Sequence, residues 1–301
     1  MAATARPIVI SALLVTAPAL QPPTVSMPHL DTDERARIEV PFEMSPRGHI
    51  MVEVSVDGGE AVPFALDTGA GITILNQARL GTLGVTERAS GEVAQRAHGT
   101  VSLGRAEVDA LSMGEAVFGG MEVGVMDLTD VEAGQMVSYG ILGFDILSRF
   151  DVSLDFRNRT VALYPRADDL ASCKVCDGEI STPFERAGGT HIRFDVTISD
   201  QSIPAILDTG SGRNGMNLLA AAAIGVDLPA TIPGGHAPGL NVGAIHMGGG
   251  TLARNVPVGV IDLPAFAALG LADGPAILLG TGALAGRRVG ISYGLNRISI
   301  E

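Results

Sequence analysis

An internal duplication limits what this chain can fold into more than any other feature does. PFEMSPRGHIMVEVSVDGGEAVPFALDTGA begins at Pro41, and PFERAGGTHIRFDVTISDQSIPAILDTGS begins at Pro183. In each copy Pro-Phe-Glu leads through a glycine-containing turn to His-Ile. An alternating strand pattern, a second turn and an apolar run ending in Asp-Thr-Gly then follow. Pro41 precedes Asp67 by 26 residues and Pro183 precedes Asp208 by 25. A second matched pair, ILGFDILSRFDVSLDFRNRTVAL from Ile141 and LLGTGALAGRRVGISYGLNRISI from Leu278, aligns without a gap. It sets Val152, Leu154, Phe156 and Val161 opposite Val289, Ile291, Tyr293 and Ile298. Alternation on both sides of Arg157–Arg159 and Gly294–Asn296 predicts a hairpin at the end of each half. Two collinear blocks around a variable middle imply two similar lobes, each long enough to bury its own core.

Composition decides the class of those lobes. The 301 residues include 39 Gly and 17 Pro, no Trp and 4% aromatics, which suits short strands joined by tight turns. The fold expected is all-β, in two similar lobes. Helical signals are short: Ile74–Leu83, Phe144–Phe150, Asn217–Ile224 and Pro264–Leu269. The expected division is 38–165 for the first lobe, 166–181 for a polar linker and 182–301 for the second lobe.

The N-terminus reads as an export signal over 1–19: Arg6, the apolar stretch Ile8–Leu20 and an Ala17-Pro18-Ala19 triplet shaped like a processing site. Residues 20–37 are then a tether or short pro-segment, and the expected location is periplasmic or secreted. No other apolar run approaches the ~20 residues that span a bilayer, so no stable membrane insertion is expected after signal removal. A net charge of −13 without a basic cluster argues against nucleic acid as a partner. The cysteines are Cys173 and Cys176, a lone CxxC inside the linker. Zinc would need two further ligands that nothing nearby supplies, so the pair reads as a small disulfide staple or two plain thiols.

Asp-Thr-Gly alone is weak, but here each half delivers one copy from an apolar strand: FALDTGA at 64–70 and AILDTGS at 205–211. With Ile141-Leu142-Gly143 and Leu278-Leu279-Gly280 these motifs resemble, in order, those of the retropepsin- and pepsin-type aspartic peptidases, over nearly the whole chain past the leader. Ala70 and the phrase LGFDILSRFDVSLDF look more like single-chain bacterial retropepsin-like proteins than pepsins. The resemblance implies two β-barrel lobes related by a pseudo-two-fold axis, with Asp67 and Asp208 as the catalytic carboxylates and Thr68 and Thr209 bridging the loops by hydrogen bonds. Hydrophobic-hydrophobic-Gly elements would pack behind the loops, and no metal or organic cofactor would be required.

The chemistry agrees, because two carboxylates at about 3 Å cannot both ionise easily and share a proton. One can then act as base on a water while the other stabilises the oxyanion of a peptide or protein substrate. Gly69 and Gly210 would bring backbone amides to the carboxylates, and Ser211 could donate to its neighbouring aspartate where Ala70 cannot. With both loops in one chain, a monomer suffices. The flap tyrosine of pepsins has no counterpart, so the flap candidates are His98-Gly99 and, in the second half, His236–Gly243. Asp145, Asp151 and Asp155 read as turn caps or solvent-facing groups. His49 and His191, at equivalent repeat positions, read as structural. Two other classes of function remain open on the sequence: a non-catalytic binder of peptide or cell-envelope fragments on the same fold, and an assembly module acting through β edges.

Overall fold

The computed structural model describes residues 23–26, 37–96, 99–129, 137–228 and 239–301. The expected export signal, His98 and residues 236–238 of the second flap candidate lie outside the described residues.

Each half is a β-sheet wrapped around an aspartate-bearing strand. In the first half Val62–Leu66 lies between Ile50–Val56, its antiparallel partner, and Gly140–Leu142, its parallel partner. In the second half Gln201–Leu207 lies between His191–Ile198 and Ile277–Leu279 in the same senses. Gly140–Leu142 then pairs antiparallel with Ile74–Asn76, as Ile277–Leu279 does with Asn214–Met216. Parallel pairing with Ala116–Met126 and with Gly250–Val260 completes the two matching layouts. Phe64, Ala65, Leu66, Ala205, Ile206 and Leu207 are all buried, because a strand covered on both faces is apolar at every position.

A third, six-stranded sheet belongs to both halves. The terminal hairpins form as expected, Phe150–Asp155 with Thr160–Pro165 and Arg288–Ser292 with Arg297–Ile300. They also pair with each other, Asp151–Asp155 running antiparallel to Arg288–Ser292 at the sheet centre. Ile38–Pro41 and Ile180–Pro183 close its two outer edges. Arg159 and Asn296, at matching turn positions, both have positive φ, 55° and 50°. Their carbonyls accept Phe42 N–H at 2.9 Å and Phe184 N–H at 2.8 Å. The main apolar core draws side chains from both halves.

Several sequence expectations need correction. Ile74–Asn76 is a strand, not the start of a helix; the helical part is a 3₁₀ turn at Gln77–Arg79 and the short helix Leu80–Leu83. Ile74 and Leu75 are recruited to the sheet because it offers both of them complete burial. The helix at Phe144 ends at Leu147, and Phe150 already belongs to a strand. Within the expected tether, Thr24–Ser26 is a strand paired with Val117–Gly119, satisfying backbone groups that would otherwise be exposed at a sheet edge. The linker carries a Cys173–Cys176 disulfide and packs down on the shared sheet. Ser299 Oγ donates to the Val175 carbonyl, and a Cβ on Gly290 would stand 2.0 Å from that same oxygen. No described helix is long and apolar enough to cross a membrane.

Candidate active site

Asp67 and Asp208 leave their strands at equivalent points and enter equivalent turns. Asp67 N–H donates to the Leu142 carbonyl at 3.0 Å and Asp208 N–H to the Leu279 carbonyl at 3.0 Å. Behind the turns, Phe144 N–H reaches the Ala70 carbonyl and Thr281 N–H the Ser211 carbonyl, both at 2.8 Å. Gly143 and Gly280 admit this approach only because they lack side chains. A Cβ on Gly143 would stand 2.4 Å from the Ile72 carbonyl oxygen, and one on Gly280 would stand 2.3 Å from that of Arg213.

The threonines join the halves reciprocally. Thr68 Oγ1 donates to the Leu207 carbonyl at 3.1 Å and accepts Thr209 N–H at 3.1 Å. Thr209 Oγ1 donates to the Leu66 carbonyl at 2.9 Å and accepts Thr68 N–H at 3.0 Å. Every hydroxyl thus uses its proton and a lone pair across the boundary, which fixes one DTG loop against the other.

The carboxylates converge on the two glycines. A Cβ on Gly69 would lie 2.6 Å from Asp208 Oδ1 and 3.2 Å from Asp67 Oδ1, and one on Gly210 would lie 2.3 Å from Asp67 Oδ2. Asp67 Oδ1 accepts the amides of Gly69 at 2.7 Å and Gly210 at 3.1 Å. Asp67 Oδ2 and both Asp208 oxygens have no donor in hydrogen-bonding geometry among the described residues. Both side chains are wholly buried. Burial, reinforced by the charge of Asp208, raises Asp67 well above the usual carboxylate range. Burial likewise pushes Asp208 up to about 7, against the nearby amides of Gly210 and Ser211, which favour its ionised form. The pair therefore retains a proton far above the pH at which a solvated aspartate loses its own.

Other candidates divide. Ser211 Oγ does not reach Asp208: it donates to the Arg213 carbonyl at 2.8 Å and accepts Arg213 N–H at 3.3 Å, because the turn folds back within its reach. Ala70 is buried behind the first loop, in a cluster with Ile72, Ala94 and Leu103. Gly99 opens the second strand of a hairpin, Arg88–Arg96 with Gly99–Met113, and pairs with Arg96 at its far end. The helix Pro264–Ala268 of the second half approaches the strand Arg88–Arg96. In the second half Leu240–Gly243 is the start of a regular strand, so that part of the second flap candidate is no loop.

Asp145 and Asp151 are buried, contrary to the solvent-facing expectation. Thr73 Oγ1 donates to Asp145 Oδ1 at 2.7 Å, and Ala167 N–H donates to Asp151 Oδ2 at 3.1 Å. Asp155 caps its turn by accepting the amides of Arg157 and Asn158, both at 2.9 Å. No group of three or more His, Cys, Asp or Glu among the described residues could hold a metal ion.

The repeat carried further signals that motif reading passed over. Asn76 and Asn217 each follow the aspartate of their half by nine residues. Their Oδ1 atoms cap the next short helix, at Ala78 N–H and Ala220 N–H, while Nδ2 ties down the Ser138 and Gly274 carbonyls. Where the halves diverge, Phe144 packs edge-on against Tyr293 at 5.7 Å, whereas Thr281 donates across the boundary to the Gly48 carbonyl at 2.7 Å. His191, from the second half, places Nε2 3.0 Å from the Gly69 carbonyl oxygen in the first.

Residues 52–146, which include the first aspartate loop, match the model of the aspartyl protease family. No curated protein matches the sequence significantly. Among solved structures, basic 7S globulin from soybean is similar, at 11% identity and a TM-score of 0.51, over 88% of this chain and 96% of that one. A retropepsin-like aspartic protease from Rickettsia conorii matches over 43% of this chain and 90% of its own, at 18% identity and a TM-score of 0.29. The family match across the first half, the duplicated sheet layout and the pair of joined DTG loops agree: this chain has the fold of the retropepsin/pepsin-like aspartic peptidases.

Proposed function

We propose that the chain is an aspartic endopeptidase in which Asp67 and Asp208 activate a water to hydrolyse peptide bonds. The observation that carries this reading is the convergence of two wholly buried carboxylates on one point, with a pKa pushed upward by that burial. The ionised member of the pair takes a proton from the water as its oxygen attacks the scissile carbonyl carbon. The protonated member donates to the carbonyl oxygen as it gains negative charge. Collapse of the tetrahedral intermediate breaks the C–N bond, the amine leaves with a proton from the pair, and one proton is again shared between the carboxylates. The proton belongs to the pair, so neither aspartate is given a fixed role.

The hairpin Arg88–Met113 is the proposed flap, since its far end at Arg96 and Gly99 extends beyond its pairing with the rest of the sheet. Substrates are proposed to be peptides or proteins and the enzyme a monomer, because one chain supplies both loops. Export is proposed from the leader-like first nineteen residues, and the Cys173–Cys176 disulfide suits an oxidising compartment. The test is cleavage of a mixed peptide library from pH 3 to 8 by wild type, Asp67→Asn and Asp208→Asn. Cuts that disappear in both variants are expected; a folded wild type that cuts nothing, or variants that cut equally well, refute the reading.

A further inference from the structure

His191 begins the strand His191–Ile198, is 1% exposed, and sits between two oxygens. Its Nε2 lies 3.0 Å from the Gly69 carbonyl oxygen and its Nδ1 3.0 Å from Thr190 Oγ1. A carbonyl oxygen only accepts, so Nε2 carries a hydrogen. Burial holds the imidazole pKa below its ordinary value, against the backbone contacts with Gly69 and Ala187, so at neutral pH the ring is uncharged; with its one hydrogen on Nε2 for the Gly69 carbonyl, Nδ1 accepts the Thr190 hydroxyl.

Gly69 is the residue whose own N–H donates to Asp67 Oδ1 at 2.7 Å and on which an added Cβ would crowd both carboxylates. A glycine rotates more freely than any other residue, so the direction of that N–H depends on what holds the peptide groups beside it. The Thr68 and Thr209 network stops one residue short of the Gly69 carbonyl. His191 takes hold there, from the opposite half of the molecule. A separate contact crosses the same boundary through Thr281. Thr281 Oγ1 donates to the Gly48 carbonyl, and Gly212 packs so tightly on Arg47 that a Cβ would stand 1.6 Å from the Arg47 carbonyl oxygen.

We infer that His191 is a positioning residue for the dyad: by donating Nε2–H to the Gly69 carbonyl it sets the Gly69 amide on Asp67 and so orients that carboxylate toward Asp208. The inference rests on the aspartic-dyad reading. A carboxylate misplaced by a fraction of an ångström lowers turnover more than it lowers binding.

The experiment compares wild type with His191→Phe, which fills the space without a donor, and His191→Gln, which keeps one. Steady-state kinetics are measured on a cleaved peptide, and the dyad is titrated by NMR of protein labelled with ¹³C at the aspartate carboxyls. His191→Phe is expected to lower kcat by about 10- to 100-fold with KM within about threefold. It should also shift the titration of Asp67, and His191→Gln should restore both to near wild type. If His191→Phe does not fold, His191→Asn, too short to reach Gly69, takes its place. Equal kcat and equal titration in wild type and in the folded donor-free or short variant would overturn the inference. A wild type that cleaves nothing would instead count against the peptidase reading, while the titrations would still report on the loop.

Discussion

Replacing Asp208 by Asn should abolish hydrolysis and at the same time stabilise the fold in alkali. Asp208 is wholly buried, and burial lifts its pKa from 3.8 to about 7. A carboxyl whose folded value is raised contributes a stability that is fully present below the unfolded value and lost as pH rises through the folded one. The loss therefore falls between about pH 4 and about pH 7, and is complete well above 7. At about 1.4 kcal/mol per unit, the shift corresponds to about 4 kcal/mol. Asparagine has the shape of the protonated acid and cannot ionise, so the variant escapes that loss. An unfolding entropy of about 2 cal/mol/K per residue, applied to 301 residues, converts it to a Tm difference of about 6 °C. Thermal melts followed by circular dichroism at half-unit steps from pH 4 to 9 would read it. The quantity of interest is the Tm of Asp208→Asn minus that of wild type: groups outside the pair cancel, and Asp67, relieved of the Asp208 charge, changes the difference in the same direction. That difference should rise by about 6 °C between pH 4 and pH 9. A difference constant to within about 1 °C, or one that falls, would show that Asp208 is not held as a buried, proton-retaining group.

Thr68→Val deletes the partner of both Leu207 C=O and Thr209 N–H and is expected to cost about 2 to 4 kcal/mol in denaturant unfolding, while Thr68→Ser should recover most of it. Gly143→Ala and Gly280→Ala place a Cβ against carbonyl oxygens at 2.4 Å and 2.3 Å, so each should lose at least about 3 kcal/mol or fail to accumulate as folded protein, whereas Gly84→Ala, with open space but positive φ, should cost only about 1 kcal/mol. Reducing Cys173–Cys176 opens a loop only a few residues long, so a Tm drop equivalent to about 2 kcal/mol is expected; a much larger drop would mean that the linker packing on Gly290 and Ser299 depends on the bond.

The duplication made much of the fold legible because matched residues occupy matched environments. Pro41 and Pro183, the DTG runs and the terminal hairpins all appear at equivalent places, and the spacing from Pro-Phe-Glu to aspartate is taken up by a turn, a strand, a second turn and the aspartate-bearing strand. Apolar runs such as Phe64–Leu66 announce strands buried on both faces. Short periodic stretches were less informative. Ile74-Leu75-Asn76 reads equally as helix or strand, and only the vacancy beside Gly140–Leu142 decides in favour of the sheet. The burial of Asp145 and Asp151 was hidden for the same reason, since a carboxyl next to a turn is cheap in solvent and tolerable inside only when a donor such as Thr73 meets it.

Sequence alone determined that there are two alike halves, that each brings one aspartate out of an apolar strand into a glycine turn, and that both are held in a single chain. Which groups meet across the boundary was decided only by the tertiary structure. The joining of the two hairpins into one sheet, Thr281 on Gly48 and His191 on Gly69 link residues more than a hundred positions apart. Local preference acts over a few residues, whereas these contacts depend on the relative placement of two folded sheets. The same holds for Ser211, whose hydroxyl could have turned to Asp208 but finds the Arg213 backbone nearer once the loop is closed.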